Sequence, residues 1–135
     1  MNRRDKMVPK FRAWDGQDMV MRDVEQLRFA HNSNNHVVYI TIDAEEWATG
    51  PALILMQSTG LKDKNGVEIF EGDVLTSNVQ PCKMVNPIKD GYGVVCFENG
   101  MFKLGAISLV TFISKMEVIG NIYENPELLE QANEK

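Results

Sequence analysis

The stretch Thr59-Gly60-Leu61-Lys62-Asp63-Lys64-Asn65-Gly66-Val67-Glu68-Ile69-Phe70-Glu71-Gly72-Asp73-Val74 decides the fold class. Asp63 to Gly66 fit a tight reversal, in which Gly66, with Asn65 as a second candidate, takes a positive φ without a Cβ clash. Val67 to Phe70, rich in β-branched and aromatic side chains, then read as a strand. The apolar run Leu53 to Met56 is its expected hairpin partner. Gly72 and Asp73 break that strand before Val74 and Leu75 resume it, as at a corner of a small barrel.

A second hairpin is fixed more tightly. Asn99-Gly100 is the preferred dipeptide of a two-residue type I′ turn, so the register follows by counting. Glu98 should face Met101, Phe97 should face Phe102, and Val95 should face Leu104. One side of the ribbon then carries Val95, Phe97, Phe102 and Leu104, an apolar set expected to be core. If fully buried, Phe97 would cost on the order of 3 to 5 kcal/mol on truncation to alanine.

Strand signals extend in both directions. Lys10 to Trp14 and Met19 to Val24 would pair across a turn at Asp15 and Gly16. Leu27 to Ala30 and Val37 to Ile42 flank the polar cluster His31 to His36, which reads as a hairpin loop. Asp43 reads as the N-cap of a short helix through Ala44, Glu45, Glu46 and Trp47, closed by Gly50 and Pro51. Ile107 to Ile113 and Met116 to Tyr123 read as two further strands. In the second, Met116, Val118 and Ile122 share a face, and Gly120 leaves room for an approaching group. Asn125 caps a final helix with Pro126 at its first position and Glu127 near its positive end, docked by Leu128 and Leu129. Thr76 to Tyr92, broken by Pro81 and Pro87, is a plain or mobile connection or else a recognition loop.

Composition narrows the function classes. The 135 residues, 44% hydrophobic and 24% charged, suffice for one globular domain with one core and a small annexe. A net charge of -5 supplies no broad positive field for phosphate backbones or anionic membranes. Basic residues nevertheless gather at Arg3, Arg4, Lys6, Lys10 and Arg12, either a solvated tail or an arm for nucleic acid. Polar interruptions from Arg12 to Asp18 exclude a secretory signal there, and no apolar run approaches the ~20 residues of a membrane-spanning helix. The expected location is the cytoplasm, the host cell cytosol. Cys82 and Cys96 form no metal or redox motif and should stay reduced, Cys96 as a half-buried strand residue opposite Lys103.

These residues resemble the YopX family, proteins encoded by phages, prophages and mobile elements. The resemblance rests on Lys10-Phe11-Arg12-Ala13-Trp14-Asp15, on Gln57 to Gly66, and on Ile69-Phe70-Glu71-Gly72-Asp73-Val74. It continues through Gly93-Val94-Val95 with Phe97 and through Val118 to Leu129. Asn32 to Asn35 and Thr76 to Tyr92 lie outside the shared pattern. The resemblance implies a mainly β, intracellular, mobile-element protein with a barrel-like C-terminal part, and it carries no catalytic residues over. Together with the hairpins it gives an expected organisation: an N-terminal β annexe with a short helix over 1–57, a small SH3-like or barrel-type domain over 58–124, and a C-terminal helix over 125–135.

Candidate sites compete with plainer roles. His31 and His36 would need further ligands to hold a metal, and a solvated loop accounts for them. Glu68, Glu71 and Asp73 would form an acid and base pair only if they converged; turn chemistry explains Asp73 and an outward strand position explains Glu68. Trp14 and Trp47 are either packing residues or exposed anchors that stack a base or hold a partner. The methionines are scattered and read as gap fillers. Binding is therefore expected at Phe11, Arg12, Trp14, Met84 and Tyr92, with Arg3, Arg4, Lys6 and Lys10 as a basic arm.

The leading expectation is a non-catalytic interaction or assembly module, with no cofactor and no metal, acting on a host or phage protein. The alternative is a small β-barrel that binds single-stranded nucleic acid. A hydrolytic enzyme built on Glu68, Glu71 and Asp73 ranks last. Open strand edges also make a homo-oligomer an expectation.

Overall fold

A computed structural model describes residues 9–32, 35–77, 92–105, 107–111 and 113–128. They are mainly antiparallel strands joined by turns, divided between two compact units, residues 10–57 and the chain from Ser58 onward.

In the first unit β1 (Phe11–Asp15) pairs on one side with β2 (Val20–Asp23), Trp14 facing Met21, as the Asp15-Gly16 turn predicts. Asp15 makes that turn by accepting the Gln17 and Asp18 N–H groups on Oδ1 at 2.9 and 3.2 Å. A three-stranded sheet follows, in the order β3 (Gln26–Asn32), β4 (Asn35–Ile42), β5 (Glu45–Ala48). The β3–β4 register reaches His31 opposite His36 and Asn32 opposite Asn35, so most of the expected polar loop is strand.

The expected helix at Asp43 is absent. Asp43 and Ala44 instead have φ of 51° and 68° and reverse the chain directly into β5, placing Glu45 opposite Ile42 and Trp47 opposite Ile40. One isolated helical turn has almost no cooperative gain. A strand, by contrast, completes the β4 ladder and sets Trp47 beside an Ile40 that is fully buried. The unit closes with the first part of β6 (Leu53–Lys62), residues 53–57, which pairs with β1. Ala13, Ile40, Ile42 and Leu53 form its core, with Leu27, Val38 and Leu55 packed against them.

In the second unit the later part of β6 pairs with β7 (Glu68–Phe70), Ser58 opposite Phe70 and Lys62 opposite Glu68. The hairpin partner of β7 is thus 58–62 and not Leu53 to Met56, whose ladder positions β1 occupies. Gly66 supplies the left-handed residue of the turn at φ 84°, and its N–H donates to the Asp63 carbonyl at 3.0 Å.

A five-stranded sheet completes this unit, with β8 (Asp73–Ser77), β9 (Tyr92–Glu98), β10 (Met101–Leu104), β11 (Ile107–Ser108) and β12 (Met116–Asn121) in the order β11-β10-β9-β8-β12. The Asn99-Gly100 hairpin has the counted register at every position, with both turn residues at positive φ (55° and 78°) as type I′ requires. Its apolar face is only partly core. Val95 and Leu104 are buried and Phe102 half-buried, but Phe97, near the hairpin tip, is 53% exposed and meets Phe102 edge-on at 5.0 Å.

Ile107 to Ile113 is not one strand. After two residues of β11 the chain makes 3-10 turns at Leu109–Thr111 and Ile113–Lys115. The turns sink Leu109 into the core and pack Ile113 against it, while Val110 stays exposed.

Asp63 ties the β6–β7 turn to β12. Its Oδ1 accepts the Asn65 and Val67 N–H groups at 2.8 and 2.9 Å, and its Oδ2 accepts the Val118 N–H at 2.9 Å. Lys64 N–H donates to the Met116 carbonyl at 2.9 Å, so the outer edge of β12 is occupied by a turn.

Gly120 leaves the room expected of it: a Cβ there would lie 2.8 Å from Asn125 Cγ and 2.9 Å from Leu128 Cδ1. Asn125 uses its Oδ1 to accept the Asn121 N–H, and Pro126 to Leu128 form a single helical turn. Leu129 lies outside the described residues.

Candidate functional site

Within the unit of residues 10–57 a depression of about 220 Å³ opens where the β1–β2 turn and the β4–β5 turn meet. Ile42, Leu53 and Asp15 are buried beneath it; Asp18, Asp43, Glu45 and Trp47 are its exposed members. Trp47 keeps 40% of its surface in solvent, which makes the depression half apolar.

The lining sets four carboxylates against one guanidinium. Arg22 is committed: its Nε and Nη2 donate to Asp15 Oδ2 at 3.2 and 3.0 Å, and Nη2 also donates to Asp18 at 2.8 Å. The Asp18 N–H, opposed by burial and aided by Arg22 and the Gln17 N–H, holds the Asp15 carboxyl below its ordinary value. Asp43 and Glu45 form no ion pair among the described residues. Two uncompensated carboxylates beside an exposed indole are suited to a cation carried on an apolar stem, such as a lysine or arginine side chain.

The residues expected to bind from sequence are not brought together here. Trp14 is 7% exposed and is no surface anchor; its ring is packed. Phe11 and Arg12 are half-buried in β1, and Lys10 is exposed just before it. Tyr92 opens β9, while Met84, Arg3, Arg4 and Lys6 lie outside the described residues, as does Cys82.

Two acidic residues of the opening motif, Asp73 and Glu68, have local hydrogen-bond partners. Asp73 is 2% exposed and accepts the Phe70 N–H at 2.8 Å, the turn role expected of it. Glu68 accepts the Ser58 hydroxyl at 2.5 Å. Cys96 stands opposite Lys103 but is exposed, not half-buried; residual desolvation and Glu98 push its thiol up, away from the reactive thiolate. Among the described residues no three His, Cys, Asp or Glu side chains gather as a metal site would need.

Sequence reasoning singled out Trp47 but missed Asp18, Arg22 and Asp43. Asp18 and Asp43 lie in turns and Arg22 in β2, and only the packing of one hairpin against another assembles them.

Residues 10–130 match the family described as YopX protein. The chain belongs to the YopX family. The match takes in all the blocks from Lys10 to Leu129 on which the resemblance rested. A solved relative is similar over nearly its whole length: the crystal structure of protein EF1440 from Enterococcus faecalis shares 31% identity at a TM-score of 0.61, covering 92% of this chain and 99% of that one. No curated protein matches the chain. No helix among the described residues is long and apolar enough to cross a membrane.

Proposed function

We propose that this YopX-family chain is a phage- or mobile-element-encoded accessory protein of the host cytosol. It acts as a non-catalytic interaction module that receives a basic segment of a protein partner in the depression beside Trp47. The observation that carries this reading is the exposed indole flanked by Asp43 and Glu45, neither of which pairs with a cation among the described residues. Two carboxylates of the opening motif support a non-catalytic role, since Asp63 spends both oxygens and Asp73 its Oδ2 on backbone amides.

Nucleic acid is the weaker reading. Carboxylate excess repels phosphate; of the two tryptophans that could stack a base, Trp14 is buried and the exposed Trp47 stands among carboxylates.

The test is capture of host and phage proteins by tagged chain from infected cells, run in parallel with Trp47→Ala and with Asp43→Asn/Glu45→Gln. Both variants should lose the same partner while still folding, as a cooperative melting transition shows, and raising salt should weaken capture. A capture profile unchanged by either variant would refute the assignment to this depression. Retention of labelled single strands, falling steeply with salt, would favour the nucleic-acid reading instead.

A further inference from the structure

Strand edges are where a β protein is open to pairing, and folded proteins commonly blunt them with brevity, charge, bulges or a covering segment. Most edges of this chain are blunted. β11 has two residues and β7 three; β2 has four, including Arg22 and Asp23; β5 carries Glu45 and Glu46; β12 is covered by the Asp63-Lys64 turn. β3 is the exception among the described residues. It is seven residues long, Gln26–Asn32, has no proline or bulge, and lies at the end of its sheet.

The direction of its free backbone groups follows from two hydrogen bonds. Thr49 N–H donates to the Val38 carbonyl at 2.9 Å, so Val38 and, by alternation, Ile40 turn their backbone groups toward β5. Glu25 N–H donates to the Thr41 carbonyl at 2.9 Å, so Thr41, Tyr39 and Val37 turn theirs toward β3. Their ladder partners Gln26, Arg28 and Ala30 are thereby satisfied. Leu27 and Phe29 are left with N–H and C=O directed away from the sheet, along its open edge.

The side chains at this edge suit pairing too. Leu27 and Phe29 lie on the same face as Val38 and Ile40, and Phe29 is 69% exposed, an aromatic ring held in water at the end of an apolar row. The one charged side chain of β3, Arg28, is already used. It donates to both Glu46 oxygens at 2.7 and 3.1 Å and lies 4.3 Å above the Tyr39 ring, on the opposite face.

We propose that β3 is a homodimer edge, pairing antiparallel with β3 of a second copy about a two-fold axis at Phe29. This register exchanges the free N–H and C=O groups of the two Phe29 residues and sets Arg28 opposite Ala30 of the other copy, so like charges never face each other. Centring the pair on Arg28 would bring two guanidiniums together. The two three-stranded sheets become one of six strands, with the two Phe29 residues paired at the seam and Leu27 of each copy opposite His31 of the other. A second copy fits better than a foreign strand because all seven residues of β3 pair with themselves in this register. The inference is independent of what the depression binds.

Light scattering coupled to size exclusion tests it on the full chain. The wild type should have twice the monomer mass, Phe29→Lys should reduce it to the monomer, and neither fold nor melting temperature should suffer beyond the loss of association. Ala30→Arg should also give monomers by opposing Arg28 of the second copy, while Ala30→Glu should keep the dimer. A wild type that stays monomeric at high concentration overturns the proposal. So does a dimer that survives both Phe29→Lys and Ala30→Arg.

Discussion

Replacing Asp63 with asparagine changes almost nothing in size but removes one acceptor. The carboxylate serves Asn65 and Val67 with one oxygen and Val118 with the other, whereas an amide has a single oxygen. Whichever way it turns, its NH₂ faces at least one backbone N–H. With the oxygen kept on the turn, the half-buried Val118 amide is left facing a donor. A hydrogen bond to a charged group contributes about 1.5 to 3 kcal/mol, so Asp63→Asn should destabilise by about 2 to 3 kcal/mol. Asp63→Ala also strips the two turn bonds, but water reaches residues 64–67, and each of those adds only about 0.5 to 1 kcal/mol.

Urea unfolding reads this as a midpoint lowered by about 1 to 2 M at unchanged slope. Acid supplies an internal control. Burial opposes ionisation of Asp63, yet the Val118, Val67 and Asn65 N–H groups, with Lys64, outweigh it and lower the folded-state pKa. A carboxylate depressed on folding stabilises above its unfolded pKa, about 3.9, and that contribution is lost as pH falls through the folded value. The asparagine deficit should therefore shrink below about pH 4. Hydrogen exchange at the Val118 amide should accelerate in the variant. A midpoint equal to wild type at neutral pH, or a deficit that persists undiminished in acid, would refute the assignment of Asp63 as the tie between the turn and β12.

Further substitutions probe packing. Gly120→Ala should cost about 1 to 3 kcal/mol in the same unfolding assay, because its Cβ drives Asn125 from the Asn121 N–H. Combining it with Asn125→Ala should cost less than the two separate effects added together. Leu75→Ala should cost about 2 to 5 kcal/mol as a fully buried core truncation, while Phe97→Ala, with half its surface already in solvent, should stay near or below about 1.5 kcal/mol.

What was legible in the sequence depended on how local its cause was. Asn99-Gly100 dictates a turn type, and the turn type dictates a register, so every pair of that hairpin was readable. Whether Phe97 is buried depends instead on how far neighbouring elements extend over the hairpin tip, which no dipeptide encodes. Asp43-Ala44-Glu45-Glu46 has the capping residue and acidic first turn of a helix, but β4 lay ready to accept a third strand, and tertiary pairing overrode propensity. The apolar run from Ile107 to Ile113 matches a strand or a chain of turns equally well until Leu109 is seen to occupy the core. The depression was the least legible feature, since its carboxylates come from two turns nearly thirty residues apart.

The Asp43-Ala44 reversal separates two demands on the same chain. Both residues hold left-handed conformations; Asp43, like Asn99, is of a type that tolerates them, but Ala44 stands where the other turn has Gly100 and carries the roughly 1 to 2 kcal/mol that the geometry costs an ordinary L-residue. A library randomised at these two positions would therefore split under two selections. Survival of heat would enrich glycine at position 44 and accept asparagine or aspartate alike at 43, while retention of a basic ligand would hold 43 to the carboxylate. The difference between the two outcomes at 43 would measure how far the turn serves recognition.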